Sequence, residues 1–403
     1  MAVTVTLLTA GLVELLLRLV VPVPDPYERF KWREEDVRPQ YVVSQFDPNL
    51  RVTFIAEDGL PGMHGWTSFS TNNAGFRGEP LRVPKPPDEY RVFMVGGSTT
   101  ECLVLDDHDA LTAVLQRELQ KRFPAGRTIR VYGAGKSGDR TDDHLAMIVH
   151  RLVHLEPDMV IVFPGVNDLR AAIAGFDFRH YGYDIGDGRE PPLQDYGPPQ
   201  RLGFWGLIRM SAYEFQIGRR LHALAHGKPM HRNAGEVSPR TLEDTVRTGA
   251  RLKRPLVTDI QLRVRINRTA EPTDASPRTD LRSYRTNLRS LAAAVEGHGA
   301  RLVFVSQQTT WNSATDPEVR RWQWMNVVSR RAYRVDLLNR AMEAYNDVLR
   351  EVARERSIPL YDPAREVPKS LEFFYDDVHF NVAGARRVGE GLASVIATAR
   401  LVP

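Results

Sequence analysis

Two short segments of this sequence carry residue types suited to nucleophilic catalysis. Gly96-Gly97-Ser98-Thr99 directly follows an apolar run, and Asp376-Asp377-Val378-His379 lies far downstream. A serine hydroxyl is a poor nucleophile unless a base takes its proton, and an imidazole base works best when a carboxylate fixes its tautomer. The chain supplies the hydroxyl, the carboxylate and the imidazole in that order. The two segments therefore predict acyl transfer through a serine nucleophile.

The spacing within the second segment favours Asp376 as the carboxylate partner of His379. A separation of three residues lets a carboxylate reach Nδ1 of the imidazole while Nε2 points outward. The adjacent Asp377 is the rival for this orienting role.

Ser98 also has a plainer interpretation, because Gly-Gly-Ser-Thr is good turn and helix-cap composition. It does not lie in the nucleophile elbow of α/β-hydrolases, because the Gly-x-Ser-x-Gly pattern fails at Thr100.

Asn167 and Gly138 are candidates for stabilising the oxyanion that develops during acyl transfer. Such an oxyanion needs preorganised N–H donors, which an asparagine amide and a backbone amide can supply. Both residues follow apolar runs, although each is also ordinary turn composition. Gly135-Lys136-Ser137 does not complete a phosphate-binding loop, because Arg130 occupies the position of the required first glycine.

Strands and helices alternate through most of the chain and would position these residues. Apolar runs predict strands over 91–95, 129–132, 159–163, 302–306 and 358–361. Periodic apolar positions predict helices over 111–122, 142–155, 281–296, 337–355 and 383–399. This order predicts an α/β fold of three layers, α/β/α, around a parallel sheet of about five strands. Ligands bind beyond the carboxyl ends of such strands, where Ser98 and Asn167 fall.

The alternation is interrupted over residues 171–280, which are rich in Gly, Pro, Tyr and Arg. Helical patches occur there at 207–226 and 241–252, and we expect an insertion that covers or flanks the site. The predicted organisation is an N-terminal segment over 1–24, an extension over 25–88, and a main domain over 89–403 that contains this insertion.

The N-terminal segment has an apolar stretch over residues 2–23, broken only by Glu14 and Arg18. About 20 apolar residues suffice to cross a bilayer as a helix, and charges four positions apart face each other on a helix. We predict an uncleaved membrane anchor, with the main domain on the extracytoplasmic (periplasmic) side. A cleaved signal and an amphipathic surface or buried helix are the alternatives.

The amino-acid composition narrows the classes of protein to which this chain could belong. Hydrophobic residues make up 42% and charged residues 26% of the 403 residues, which is typical of a folded globular protein. The net charge of +4 comes from 54 basic and 50 acidic residues that are interleaved, so we expect no nucleic-acid partner. Cys102 is the single cysteine, which excludes an intrachain disulfide. His150 and His154 lie one helical turn apart, but Arg151 stands where a zincin needs its glutamate, so we expect neither a metal nor another cofactor.

The motifs resemble, in order and context, those of the SGNH (GDSL-like) hydrolase superfamily. They are Gly97-Ser98, Gly138, Gly165-x-Asn167-Asp168 and Asp376-x-x-His379. The resemblance covers about residues 91–169 and 281–401. It implies a flavodoxin-like three-layer fold and the hydrolysis of esters, thioesters or acetylated sugars. Asn72–Gly78 also resembles the Asn-x-x-Gly-Phe-Arg stretch that precedes the first strand in membrane-anchored members.

The same resemblance implies a role for each site residue. Ser98 would be the nucleophile, His379 the general base and then acid, and Asp376 the residue that orients it. The backbone N–H groups of Ser98 and Gly138 and the side chain of Asn167 would form the oxyanion hole. The chain departs from the family at Gly97, which stands where the family has the aspartate of Gly-Asp-Ser. That aspartate is not a member of the triad.

We therefore expect a membrane-anchored serine esterase that acts on a small-molecule or glycan ester, with an O-acyl or O-acetyl group as the target. An O-acyltransferase with the same three residues is one alternative, and a non-catalytic glycan-binding or assembly module is another. Trp311, Trp322 and Trp324 follow the fourth predicted strand. Their rings either contact the substrate or pack in the core.

Overall fold

The computed structural model describes residues 2–20, 45–56, 60–123, 126–175, 215–225, 264, 269–312, 314 and 316–402. The chain divides into two compact units. One combines Met1–Gln40 with His180–Ser238, and the other combines Tyr41–Arg179 with Pro239–Pro403.

The described residues of the larger unit contain ten strands. They are β1 (Arg51–Ala56), β2 (Gly65–Ser70), β3 (Glu89–Gly96), β4 (Thr128–Gly135), β5 (Met159–Phe163), β6 (Glu271–Thr273), β7 (Arg301–Val305), β8 (Val327–Val328), β9 (Arg331–Tyr333) and β10 (Leu360–Tyr361). Five of them form one parallel sheet in the order β10-β7-β5-β3-β4. All five predicted sheet strands are confirmed, and their order is that of the flavodoxin-like doubly wound sheet.

Eleven α-helices are described across the two units. They are α1 (Ala2–Val20), α2 (Ser98–Glu101), α3 (Leu111–Arg122), α4 (Thr141–His150), α5 (Val166–Ala174), α6 (Gln216–Ala225), α7 (Leu281–Gly297), α8 (Pro317–Arg320), α9 (Val335–Glu355), α10 (Pro363–Glu366) and α11 (Val382–Thr398). Of these, α3 and α11 pack together on one face of the sheet, and α4, α7 and α9 pack on the other. The predicted three-layer α/β/α fold is confirmed.

The central strand β5 is apolar along its whole length because both faces of the sheet are covered. All five residues of β5 are buried. Ile161 belongs to the core that contains Leu115 and Leu392, whereas Val160 and Val162 belong to the core on the opposite face. This alternation follows from the two-residue period of a strand, and a parallel sheet covered on both faces needs such a continuous apolar run.

One predicted helix is shorter than its apolar pattern indicated. The pattern predicted a helix over 142–155, but α4 ends at His150 and a 3-10 helix follows over Leu152–Leu155. Arg151 interrupts the helix with φ −135° and ψ −58°. Glu156 then ends the 3-10 helix with φ +52°, before Pro157.

The predicted extension and insertion contain elements that the sequence did not indicate. In the extension, β1 and β2 pair as an antiparallel hairpin. In the predicted insertion, β6 forms and pairs with β9, which with β8 completes a separate three-stranded sheet of the larger unit. The helical patch at 207–226 is described only over 215–225, where α6 forms, and the patch at 241–252 lies outside the described residues.

In the smaller unit, α1 has the predicted internal ion pair. Nε of Arg18 lies 2.9 Å from Oε1 of Glu14, and Oε2 of Glu14 accepts a hydrogen bond from the backbone N–H of Ile217 at 3.2 Å. Among the described residues, no helix combines the length and the apolar character that spanning a bilayer requires. The membrane anchor and its orientation stay predictions.

Candidate active site

Ser98 is the first residue of α2 and lies just beyond the carboxyl end of β3. Gly97 precedes it as the N-cap residue, where an added side chain would displace a neighbouring group. A Cβ added to Gly97 would lie 2.5 Å from Nδ2 of Asn167 and 3.5 Å from the carbonyl oxygen of Asp139. The absence of a side chain at Gly97 therefore lets Asn167 approach the serine turn.

The structure brings Ser98 and His379 into direct contact. Oγ of Ser98 lies 2.8 Å from Nε2 of His379. The imidazole stacks on the ring of Tyr375, with ring centroids 5.6 Å apart and an interplanar angle of 9°. The backbone N–H of Tyr375 donates to the carbonyl oxygen of His379 at 3.1 Å, which closes the turn that carries the histidine. The side chain of His379 is 13% exposed, so its ring has a defined position with one edge open.

Asp376 accepts hydrogen bonds on both carboxylate oxygens. Nδ1 of His379 lies 2.9 Å from Oδ1 and 2.8 Å from Oδ2. The backbone N–H groups of Val378 and His379 donate to Oδ1 at 3.0 and 2.9 Å. Burial by itself raises the pKa of Asp376, but the charge and hydrogen bonds of His379 and these amides hold that pKa below its usual value. An ionised carboxylate can only accept, so Nδ1 carries the proton and Nε2 faces Ser98 with its lone pair.

Asp377 points away from the imidazole into a different set of donors. Its Oδ1 accepts from the backbone N–H of Trp324 at 2.7 Å. Its Oδ2 accepts from the backbone N–H of Met325 at 3.1 Å and from Nε1 of Trp311 at 3.0 Å. Burial raises the pKa of Asp377 to about 6, and the neighbouring charge of Asp376 adds to the rise. Of the two rival carboxylates, Asp376 is therefore the one bonded to His379.

Asn167 and the turn of Gly138 both lie beside the serine turn. Asn167 is in the first turn of α5, just after β5, and its Nδ2 donates to the carbonyl oxygen of Asp139 at 2.9 Å. Gly138, the residue before Asp139, has φ +88°, a backbone conformation that favours glycine. The sheet order explains why Asn167 lies beside the turn of Ser98, because β3 and β5 are neighbours and their carboxyl ends lie at the same edge of the sheet.

Sequence reasoning missed a contact between α2 and the turn of Gly138. Glu101 is the last residue of α2, 3% exposed, and its carboxylate accepts a hydrogen bond from the hydroxyl of Ser137. Ser137 directly precedes Gly138. Glu101 therefore ties the end of the serine helix to the turn that carries one of the candidate oxyanion donors. The only feature of the sequence that could have indicated this contact is the position of Glu101, three residues after Ser98.

A buried polar cluster lies behind Asn167. Oδ1 of Asp168 accepts from the backbone N–H of Thr141 at 3.1 Å and from its hydroxyl at 2.6 Å, which joins α5 to the start of α4. Oδ2 of Asp168 and the hydroxyl of Tyr284 are both buried without a hydrogen-bond partner among the described residues. Burial raises the pKa of Asp168 to about 7.

The three tryptophans after β7 have different environments. Trp311 is fully buried and donates to Asp377, so it belongs to the core and not to the site's rim. Trp322 and Trp324 are partly buried and pack against the core. The indole N–H of Trp324 donates to Oδ2 of Asp376 at 3.0 Å, which places this residue directly behind the carboxylate.

No metal-binding cluster accompanies this arrangement. Within the described ranges, no group of three or more His, Cys, Asp or Glu side chains is placed to hold a metal ion. His150 lies on α4 and His154 on the following 3-10 helix, and neither belongs to a group of this kind.

Comparison with known proteins gives distant structural likenesses only. No protein-family model and no curated protein matches the sequence. Solved structures with a similar fold include Axe2, an acetylxylan esterase from Geobacillus stearothermophilus, with 16% identity and a TM-score of 0.39 over 77% of this chain and 94% of that chain. TesA has 16% identity and a TM-score of 0.40 over 77% of this chain and 99% of that chain. The acetyl xylan esterase AlAXEase has 13% identity and a TM-score of 0.38 over 76% and 99%, respectively. Scores this low support no assignment of activity or substrate.

Proposed function

We propose that this protein is a serine esterase that hydrolyses an O-acyl ester, such as an O-acetyl group on a small molecule or a glycan. The observation that carries the proposal is the unbroken hydrogen-bonded series from the Ser98 hydroxyl through the His379 ring to the Asp376 carboxylate, with separations of 2.8 Å at Nε2 and 2.8 Å at Nδ1. These distances lie within the range in which a base can take the proton of a nucleophile.

In the first half of the reaction, Oγ of Ser98 attacks the ester carbonyl carbon while Nε2 of His379 takes the hydroxyl proton. The tetrahedral intermediate then collapses, the bond from carbon to the leaving oxygen breaks, and His379 returns its proton to that oxygen. The alcohol leaves and the acyl group remains on Ser98. In the second half, water replaces the alcohol, and the same proton transfers release the acid and restore the serine.

Asp376 contributes by holding the imidazole and stabilising its charged form. Its lowered pKa keeps it ionised at neutral pH, so it accepts the hydrogen bond from the Nδ1–H group of His379 throughout the reaction. When His379 takes the serine proton, the resulting imidazolium lies against a carboxylate that is itself held by backbone amides. This preorganisation avoids reorganising solvent during proton transfer.

The oxyanion of the tetrahedral intermediate is assigned to three donors. They are the backbone N–H groups of Ser98 and Gly138 and the side-chain amide of Asn167. An amide group has two N–H bonds, and one of those on Asn167 donates to Asp139, so the other remains for the oxyanion. Removing one such donor typically slows catalysis by about 100- to 1,000-fold.

A fluorophosphonate probe tests the proposal directly, because it reacts with an activated serine and mimics the tetrahedral intermediate. We expect mass spectrometry of the labelled protein to locate the adduct on Ser98, and we expect His379→Ala to lose most of the labelling. Ser98→Ala should abolish hydrolysis of p-nitrophenyl acetate, whereas Ser394→Ala, which changes an exposed serine on α11, should not.

Two results would contradict the proposal. One is hydrolysis by Ser98→Ala at the wild-type rate, and the other is labelling at a different serine. Adding an acetylated glycan together with an unacetylated acceptor separates hydrolysis from transfer, because an esterase releases free acetate and a transferase moves the acetyl group to the acceptor.

A further inference from the structure

We propose that Trp324 is a positioning residue for the esterase reaction, because its indole N–H fixes the carboxylate of Asp376 that orients His379. This inference rests on the proposed function. The sequence favoured either substrate contact or core packing for Trp324, and its contact with Asp376 indicates a different role.

The indole approaches Asp376 from outside the turn that carries the triad. Nε1 of Trp324 lies 3.0 Å from Oδ2 of Asp376, and the two residues are 52 positions apart in sequence. The two backbone donors to Oδ1, from Val378 and His379, belong to the same turn as Asp376 and move with it. The bond from Trp324 therefore fixes the carboxylate relative to the rest of the fold, which those amides cannot do.

The backbone of Trp324 is itself held in place. Its N–H donates to Oδ1 of Asp377 at 2.7 Å, and the N–H of Met325 donates to Oδ2 of Asp377 at 3.1 Å. The guanidinium of Arg170 on α5 donates to the carbonyl oxygen of Met325. Adjacent carboxylates thus bind one residue at two points, Asp377 through the backbone and Asp376 through the side chain. A side chain held at both ends loses little entropy when it donates, so its hydrogen bond persists.

The N–H dipole also affects the proton affinity of the catalytic pair. A donor to Oδ2 stabilises the negative carboxylate and reduces its pull on the Nδ1 proton. The charged neighbour of Asp376 in the same turn is Asp377, and farther out Arg170 and Lys369 donate to the backbone carbonyl oxygens of Met325 and Trp311. None of these groups is changed by a substitution at Trp324, so the loss of the indole N–H can be measured separately.

Trp324→Phe tests the inference, because it keeps an aromatic ring and removes the donor. We expect kcat/KM for p-nitrophenyl acetate and the rate of Ser98 phosphonylation to fall about tenfold or more, with little change in KM, as is typical when a hydrogen bond to a charged group is lost. We also expect the acidic limb of the pH profile of kcat/KM to move to higher pH, because Asp376 then holds the imidazolium more tightly.

The matched control is Trp322→Phe, which changes a partly buried tryptophan two residues earlier that packs against the same core. It should leave the rates within about twofold of wild type and the acidic limb in place. If Trp324→Phe unfolds, β-(3-benzothienyl)alanine at position 324 replaces the N–H by sulfur and preserves the ring. That substitution should reproduce both the lower rate and the shifted limb.

The inference is overturned if a folded variant at position 324 matches the control in both rate and pH profile. An absence of wild-type labelling at Ser98 would instead overturn the proposed function. The two failures are therefore distinguishable in one set of measurements.

Discussion

Arg77 holds the carbonyl oxygen of Cys102, the residue at which the helix of Ser98 ends. Nη1 of Arg77 lies 2.7 Å from that oxygen and 3.0 Å from the carbonyl oxygen of Glu101, while Nη2 lies 2.6 Å from the carbonyl oxygen of Leu105. Cys102 has φ +50°, so its turn leaves carbonyl groups without helical partners. The Asn-x-x-Gly-Phe-Arg stretch thus stabilises the serine turn from outside the sheet.

Arg77→Ala is expected to destabilise the protein and to lower its activity. Arg77 is 4% exposed, and removing it takes a donor from several buried carbonyl oxygens and breaks the ion pair with Asp107. We expect a loss of about 3 kcal/mol or more in the free energy of unfolding, measured by urea denaturation. The control Arg82→Ala changes an exposed arginine nearby and should cost less than about 0.5 kcal/mol. Equal stability of the two variants would show that the hydrogen bonds of Arg77 do not stabilise the folded protein.

Gly97→Ala is expected to reduce activity far more than stability. The new Cβ would lie 2.5 Å from Nδ2 of Asn167. Because this atom is at the far end of a side chain, we expect the protein to accommodate the Cβ by moving the amide. If Asn167 is an oxyanion donor, kcat should fall by about 100-fold or more while the melting temperature changes little. Gly297→Ala, where an added Cβ meets nothing within 4 Å, controls for the substitution itself. A fully active Gly97→Ala variant would remove Asn167 from the proposed oxyanion hole.

Asparagine substitutions at the adjacent carboxylates are expected to separate their roles. Asp376→Asn should lower kcat by about 10⁴-fold, because the amide stabilises the wrong tautomer of His379. Asp377→Asn should retain activity within about tenfold but lose about 1–3 kcal/mol of stability, because an amide N–H then faces the donors of Trp311 and Met325. Steady-state kinetics and urea denaturation measure the two effects. An Asp377→Asn variant as inactive as Asp376→Asn would assign the orienting role to Asp377 as well.

Asp168→Asn is expected to change how stability depends on pH. Burial raises the folded-state pKa of Asp168 to about 7, above the value of about 3.9 in an unfolded chain. The folded protein therefore binds this proton more tightly between about pH 4 and 7, and the group lowers stability as the pH rises through that window. The stability of Asp168→Asn relative to wild type should increase over the same window by on the order of 3 kcal/mol.

Urea denaturation of wild type and Asp168→Asn at half-unit pH steps measures this difference. His144 is a useful internal reference, because burial lowers its pKa to about 3, so it contributes stability that is lost as the pH falls below about 6.5. That contribution is present in both proteins and cancels in the comparison. A difference in stability that stays constant from pH 4 to 8 would contradict the raised pKa.

The sheet and the positions of Ser98 and His379 were predictable from sequence because each depends on a local pattern. The runs over residues 92–95 of β3 and Met159–Phe163 of β5 are apolar throughout, which is typical of strands buried on both faces. The hairpin strand β2 was missed although it alternates, since Thr67 is buried and Trp66 is exposed, the reverse of what their polarity indicates. Burial of Thr67 depends on the tertiary structure, which a single sequence does not display.

Contacts between distant segments account for the rest of what the sequence did not indicate. Glu101 binds Ser137 across 36 positions, and Trp324 binds Asp376 across 52. No spacing rule links such residues, because their separation depends on the lengths of the intervening helices and loops. The three-residue spacing from His379 indicated Asp376 as the partner of the imidazole, whereas the donors that Asp377 meets, on Trp311, Trp324 and Met325, lie more than 50 positions away and were not indicated.

The 281 positions between Ser98 and His379 have a consequence for biosynthesis. Domains of a nascent polypeptide fold progressively as they leave the ribosome, beginning with the amino-terminal part. Ser98, the proposed nucleophile, is therefore translated long before His379, its proposed base. Under the proposed function, the site is completed only when the segment that carries His379 has been translated, so we expect incomplete chains that lack this segment to leave esters intact.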